Sequence, residues 1–152
     1  MRDIKEKNPE RGAALVELAL VLPFLLLMLM GIVELGLLFY NQQVLTNSSR
    51  EGARAGIALS GKALIDKAIV TSGDFIDEVD GVVQRYCTDH LITFNATPLV
   101  NTTVVGALGT HPEELTVAVN YTYTFLVPEL LDIGSSFQLN ASTVMNMERS
   151  IN

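Results

Sequence analysis

The chain has 152 residues, enough for about one domain, with 17 acids against 10 Lys/Arg for a formal net charge of −7. A folded polyanion is poorly suited to nucleic acid, because Lys/Arg must replace the counterions on phosphate. The lone cysteine, Cys87, excludes an intramolecular disulfide framework.

The first twelve residues form a basic leader with Arg2, Lys5, Lys7 and Arg11. After it the chain turns apolar: Glu34 is the one charge between Leu18 and Tyr40. At about 1.5 Å per residue, roughly 20 helical residues cross the hydrocarbon core of a bilayer. A cleaved secretory signal is the competing reading. Its apolar region runs about 7–15 residues and ends at a small-x-small site. The present run is longer, and its end, LGLLFYNQQ, lacks such a site. A retained membrane span is therefore expected. The leader's four cations outweigh Arg50 and Arg54 beyond the span. The positive-inside rule then puts the N-terminus in the cytoplasm and exports residues 41–152.

Beyond Tyr40 no proline interrupts the pattern, and one helix from Ala13 to Ala58 is expected. Pro23 deletes its own donor and crowds the carbonyl of Ala19, which predicts a kink. Gly52 and Gly56 either permit close packing or mark a fraying helix end. Ser60 reads as the N-cap of a further helix over 61–70, broken by TSG at 71–73. Phe75, Ile76, Val79, Val82, Val83 and Tyr86 then recur at helical spacing, with Asp74, Asp77 and Glu78 loading the first turn. After Cys87 the period changes. In Leu115–Phe125 the apolar residues Leu115, Val117, Val119, Tyr121, Tyr123 and Phe125 alternate with Thr, Ala and Asn, the signature of a half-buried strand. Leu91–Ala96 and Phe137–Met145 read as weaker strands, and Pro and Gly mark the loops. The fold class is α+β: a long membrane-spanning helix, then amphipathic helices covering a 3–4-stranded antiparallel sheet. Three regions follow: 1–12, a leader; 13–58, the span with its exported extension; and 59–152, the exported module.

Catalytic chemistry is hard to find. His90 and His111 fall in loop-like sequence as solvated side chains, and no Cys/His/Asp cluster has metal-ligand spacing. Glu113–Glu114 reads as a solvated turn, and Cys87 as a small buried filler. No nucleophile elbow, phosphate loop or zinc motif occurs. The expectation is a protein that is not an enzyme, with no cofactor, no metal and no small-molecule substrate. Five Asn-x-Ser/Thr triplets, from Asn47, Asn95, Asn101, Asn120 and Asn140, are either acceptors for glycans or chance products of Thr/Asn-rich sequence.

The membrane boundary, ERGAALVELALVLP, is more informative. Glu17 is an acid at the edge of an apolar helix, where it costs free energy. A cut between Gly12 and Ala13 would set a new ammonium at i,i+4 from it, and would place it where the helix dipole favours negative charge. The other reading is an interfacial acid reaching headgroups. Glu34, flanked by Gly31 and Gly36, is open in the same way: an interfacial acid, or a polar contact to another membrane helix.

These residues carry a resemblance. Arg11-Gly12-Ala13, Val16-Glu17, Leu22-Pro23, Val33-Glu34-Leu35-Gly36, Phe39-Tyr40 and Arg50-Glu51-Gly52-Ala53-Arg54 resemble the N-terminal signature of TadE-like proteins. These are pseudopilin-like subunits of bacterial tight-adherence (Flp-type) pilus systems. The resemblance implies a pilin-like layout and a minor pilin or pseudopilin anchored in the bacterial inner membrane. It implies removal of the leader by a prepilin peptidase between Gly12 and Ala13, and an assembly role for Glu17. Its partners would be other pilin subunits and the assembly machinery. Leu18 departs from processed pilins of these systems, which carry an aromatic after the glutamate. Two rivals differ in class: a signal-anchored exported binding module unrelated to pili, and an exported enzyme or substrate-binding domain.

Overall fold

Proline at the head of a helix gives up only an amide that has no partner there, and the first helix begins at Pro9. The computed structural model describes residues 9–66, 72–94, 100–105, 114–126 and 136–146. Its elements are α1 (Pro9–Asp66), α2 (Ser72–His90), β1 (Val100–Val105), β2 (Glu114–Thr124) and β3 (Ser136–Asn146). The long N-terminal apolar helix, the second helix and the antiparallel sheet make the fold α+β. Two compact units result, Met1–Gly36 and Leu37–Asn152, and the division falls within α1.

Helix α1 outruns its expected bounds at both ends and continues through Pro23. Ser60 is not an N-cap: Ser60-Gly61 contains no proline to withdraw an amide, so the ladder passes through it to Asp66. Residues 67–70 of the expected 61–70 helix lie outside the described residues. The expected break at 71–73 is also displaced, since Ser72 and Gly73 open α2, and Thr71 lies outside the described residues.

Within Met1–Gly36, α1 shows its apolar side chains on all sides; Leu15, Leu20 and Phe24 are 67, 76 and 70% exposed. Within Leu37–Asn152 the same helix changes character. Asn41, Val44, Leu45, Ser48, Ser49, Gly52, Ala53 and Gly56 are buried, an i, i+3/i+4 stripe of mostly small and polar residues. Helix α2 answers with Phe75, Val79, Val83 and Cys87, one side chain per turn and all buried. Ile76, on the same predicted stretch, is exposed.

The sheet has strand order β1-β2-β3, antiparallel throughout. The alternation of β2 is realised residue by residue: Leu115, Val117, Val119, Tyr121 and Tyr123 are buried, and the residues between them are half-buried or exposed. Their partners in register put Val100, Thr102 and Val104 of β1 and Leu139, Ala141 and Thr143 of β3 on the same face. That face and the inward stripes of both helices share one core. Tyr123 meets Phe125 edge-on, with ring centroids 5.6 Å apart.

Two strand assignments change. Residues 91–94 of the expected strand LITFNA belong to no strand; the amide of Leu91 still donates to the carbonyl of Cys87 at 2.8 Å, prolonging α2. Residues 95 and 96 lie outside the described residues. Conversely, Val100–Val105 forms a strand outside the segments expected to be extended. His90 is not in a loop either; it ends α2. Glu114 opens β2 rather than lying in a turn. His111 and Glu113 lie outside the described residues.

Candidate functional site

The apolar part of α1 is where sequence and structure concentrate their unusual features. Among the described residues, one helix is long and apolar enough to cross a membrane, within Gly12–Leu59. Such a helix fits a membrane anchor. An apolar surface displayed this fully around a helix is unfavourable in water and favourable in lipid.

The residues singled out from sequence fall along this helix. Gly12 and Ala13 are helical and exposed, so the peptide bond between them is part of the α1 ladder. Glu17 is exposed on the next turn. Pro23 is exposed in mid-helix. Glu34 differs, being 6% exposed between exposed neighbours. A Cβ placed on Gly12, Gly31 or Gly36 would meet nothing within 4 Å, so the chain itself makes no use of their smallness.

Further along, the Leu37–Asn152 unit fastens α1 with polar groups that the sequence reading missed. Asn41 is fully buried and clasps the backbone of one residue from both sides: its Nδ2 donates to the carbonyl of Ile92 at 3.0 Å, and the Ile92 amide donates to its Oδ1 at 3.1 Å. Two turns on, Ser48 donates to the carbonyl of Leu45 at 2.9 Å, and Ser49 shares a hydroxyl hydrogen bond of 2.7 Å with Thr143. Gln42 donates to the carbonyl of Asn140 at 2.8 Å. The helix therefore meets the rest of this unit through satisfied hydrogen bonds and small residues, alongside the apolar contacts of Leu45 and Ala53 in the core. The signal was the helical spacing 41, 48, 49, 52, 53, 56. It escapes notice when only apolar residues are counted.

Gly52 and Gly56 settle in favour of close packing. A Cβ on Gly52 would lie 2.6 Å from Cγ2 of Val83, and one on Gly56 would strike Cδ2 of Leu115. Cys87 is buried, and burial pushes its thiol above the ordinary value of 9.0, with a hydrogen bond to Ser48 opposing in smaller part. Its chemistry is that of a packed filler.

Away from the core, Glu51, Val82, Arg85, Tyr86, Asp89 and His90 line an open depression of about 180 Å³. His90 stacks on Tyr86 with centroids 4.3 Å apart and places Nδ1 2.9 Å from the Tyr86 carbonyl. Nearby, the ion pair of Arg54 with Glu51 at 3.7 Å joins two exposed side chains and contributes little. Among the described residues no group of three or more His, Cys, Asp or Glu could hold a metal ion.

The fold and its apolar helix define a class: an α+β module carried on a helix suited to a bilayer. Residues 12–54 match the family model described as TadE-like protein, so this segment is TadE-like, as its motifs indicate. The match spans Gly12, Ala13, Glu17, Pro23 and Glu34, and extends over the buried stripe as far as Ala53. It points to involvement in tight-adherence pilus systems and to a membrane context. No curated protein matches the chain, and no solved structure does.

Proposed function

We propose that this chain is a membrane-anchored minor pilin or pseudopilin of a tight-adherence, Flp-type pilus system. It serves assembly and surface adhesion and is not an enzyme. The observation that carries the reading is the coincidence of the TadE-like match over residues 12–54 with the most apolar, most exposed stretch of α1.

In this reading the helix stores the subunit in the bacterial inner membrane, with the basic leader in the cytoplasm and residues 41–152 on the far side. Neighbouring membrane helices approach through the open surfaces at Gly31 and Gly36 and pack by van der Waals contact. A prepilin peptidase removes the leader between Gly12 and Ala13. That bond lies in the first turns of α1, where only a short stretch of ladder must open for a protease to reach it. The new ammonium of Ala13 and the carboxylate of Glu17 then neutralise each other, within a chain or between subunits. Other pilin subunits and the assembly machinery are the partners, and the energy for assembly comes from them.

N-terminal sequencing of the protein recovered from membranes tests the processing step. A start at Ala13 supports it, whereas a start at Met1 rejects cleavage and favours an unprocessed, signal-anchored binding module. Glu17→Gln tests assembly: the variant should still insert in the membrane yet lose incorporation into filaments. Wild-type incorporation would contradict the assigned role.

A further inference from the structure

The face of the sheet turned away from the core has a composition unlike the rest of the chain. Pairing in register brings Asn101, Asn120 and Asn140 side by side across all three strands. The adjacent row holds Thr103, Ala118 and Ser142. Thr122 continues β2 on the same face. Asn101, Thr103, Thr122, Asn140 and Ser142 are exposed, and the central Asn120 is half-buried. The coincidence has a simple origin. Three of the Asn-x-Ser/Thr triplets lie in strands, where residues i and i+2 share a face, so each triplet delivers an amide and a hydroxyl to the same surface. Among the described residues, Glu114 at one corner is the only charged residue on this face of a chain whose net charge is −7.

We infer that this outer face is a docking surface for an uncharged, hydroxyl-rich polymer, a neutral polysaccharide, centred on the Asn101–Asn120–Asn140 row. Amides and hydroxyls both donate and accept hydrogen bonds, which matches the dual character of sugar hydroxyls. The lack of charge gives no purchase to a polyanion or a polycation. The register adds a lattice: amides recur at the strand spacing of about 4.8 Å across the sheet, and polar side chains recur every second residue along it. A second copy of the chain fits less well. Three strands of this length offer roughly 400–500 Å² by their spacing and rise, against about 800 Å² per partner in a stable interface, and the exposed apolar residues of the face, Val105 and Val144, flank Thr116 toward one end rather than forming its centre. A polymer needs only weak contacts at each subunit when many are engaged together.

The experiment uses the full chain in detergent micelles, captured densely on beads and presented with soluble neutral glucans, mannans and galactans, with hyaluronate as the acidic comparator. At least one neutral polymer should be retained, with little dependence on salt. The combined variant Asn101→Ala/Asn120→Ala/Asn140→Ala should lower its half-saturation affinity about tenfold or more, since three hydrogen-bonding side chains are lost. Ser142→Arg, at an exposed edge-strand position, should do the same without touching half-buried Asn120. Glu78→Gln on α2 should leave retention unchanged. Retention of none of the neutral polymers would overturn the inference, as would equal retention of hyaluronate. So would self-association in sedimentation that is lost in Ser142→Arg, which would make the face a contact between copies. None of these readings depends on pilus assembly.

Discussion

Gly52 and Gly56 show how one missing methyl sets the distance between elements. Alanine at Gly56 would strike Leu115 while Phe75 and Val79 both lie 3.3 Å away, leaving the new methyl no direction in which to relieve the clash. Overpacking costs about 1–3 kcal/mol, and the better helix propensity of alanine returns about 1. Gly56→Ala should therefore lower stability by up to about 2 kcal/mol in denaturant titration. Gly81 in α2 has nothing within 4 Å, so Gly81→Ala should raise stability, by up to about 1 kcal/mol. Equal effects at the two sites would refute the packing argument. Cys87 adds a dependence on pH. Burial raises its pKa, so the folded state holds the proton more tightly than the unfolded state. Its contribution is complete below the ordinary value of 9.0 and is lost as the pH rises through the folded value. Tyr121, raised from 10.0 by burial, acts with the same sign at higher pH. The unfolding midpoint should fall as the pH passes 9, and Cys87→Ala should blunt the onset of that fall; a midpoint rising over this range would contradict the sign.

At the scale of elements, what could be read from sequence followed the strength of the local period. The alternation of β2 survives residue for residue, because one face meets the core and the other meets water. The apolar run of α1 was equally plain. The short β1 was missed because VNTTVV alternates Val with Thr and Asn only weakly, and Thr102 points inward with the valines. LITFNA was misassigned for the opposite reason: its composition suits a strand, but Asn41 takes both backbone groups of Ile92 that a neighbouring strand would need. No local pattern announces a partner 51 residues away. Gly12, Glu17, Pro23 and Glu34 were legible because charge, glycine or proline stands out in an apolar run. Asn41, Ser48 and Ser49 were not, because polar residues beyond a span look like ordinary solvated surface. The Asn41 clasp has its own consequence. Asn41→Ala removes the partners of a part-buried amide and carbonyl, which costs about 1 kcal/mol where water can replace them. Hydrogen exchange at the Ile92 amide should accelerate strongly while exchange along β2 changes only with global stability. An unchanged Ile92 rate would show that the clasp does not hold this segment.

At the scale of the whole molecule, the chain carries two surfaces with opposite needs. Between Gly12 and Gly36, α1 offers lipid-compatible side chains and small, open positions. The Leu37–Asn152 unit buries its own apolar residues and presents a polar sheet face. In the proposed topology an acidic, largely polar module is kept in water, and the basic leader faces the cytoplasmic leaflet. The proposed role as a pilus subunit requires this arrangement. Protease treatment of intact spheroplasts, read by mass spectrometry of the membrane-retained peptides, tests it most directly. The account predicts digestion of the sheet residues, with recovery of a protected fragment containing the apolar stretch from Leu18 to Tyr40. Full protection of the sheet until the membrane is breached, or recovery of the intact chain from the soluble fraction, would contradict it.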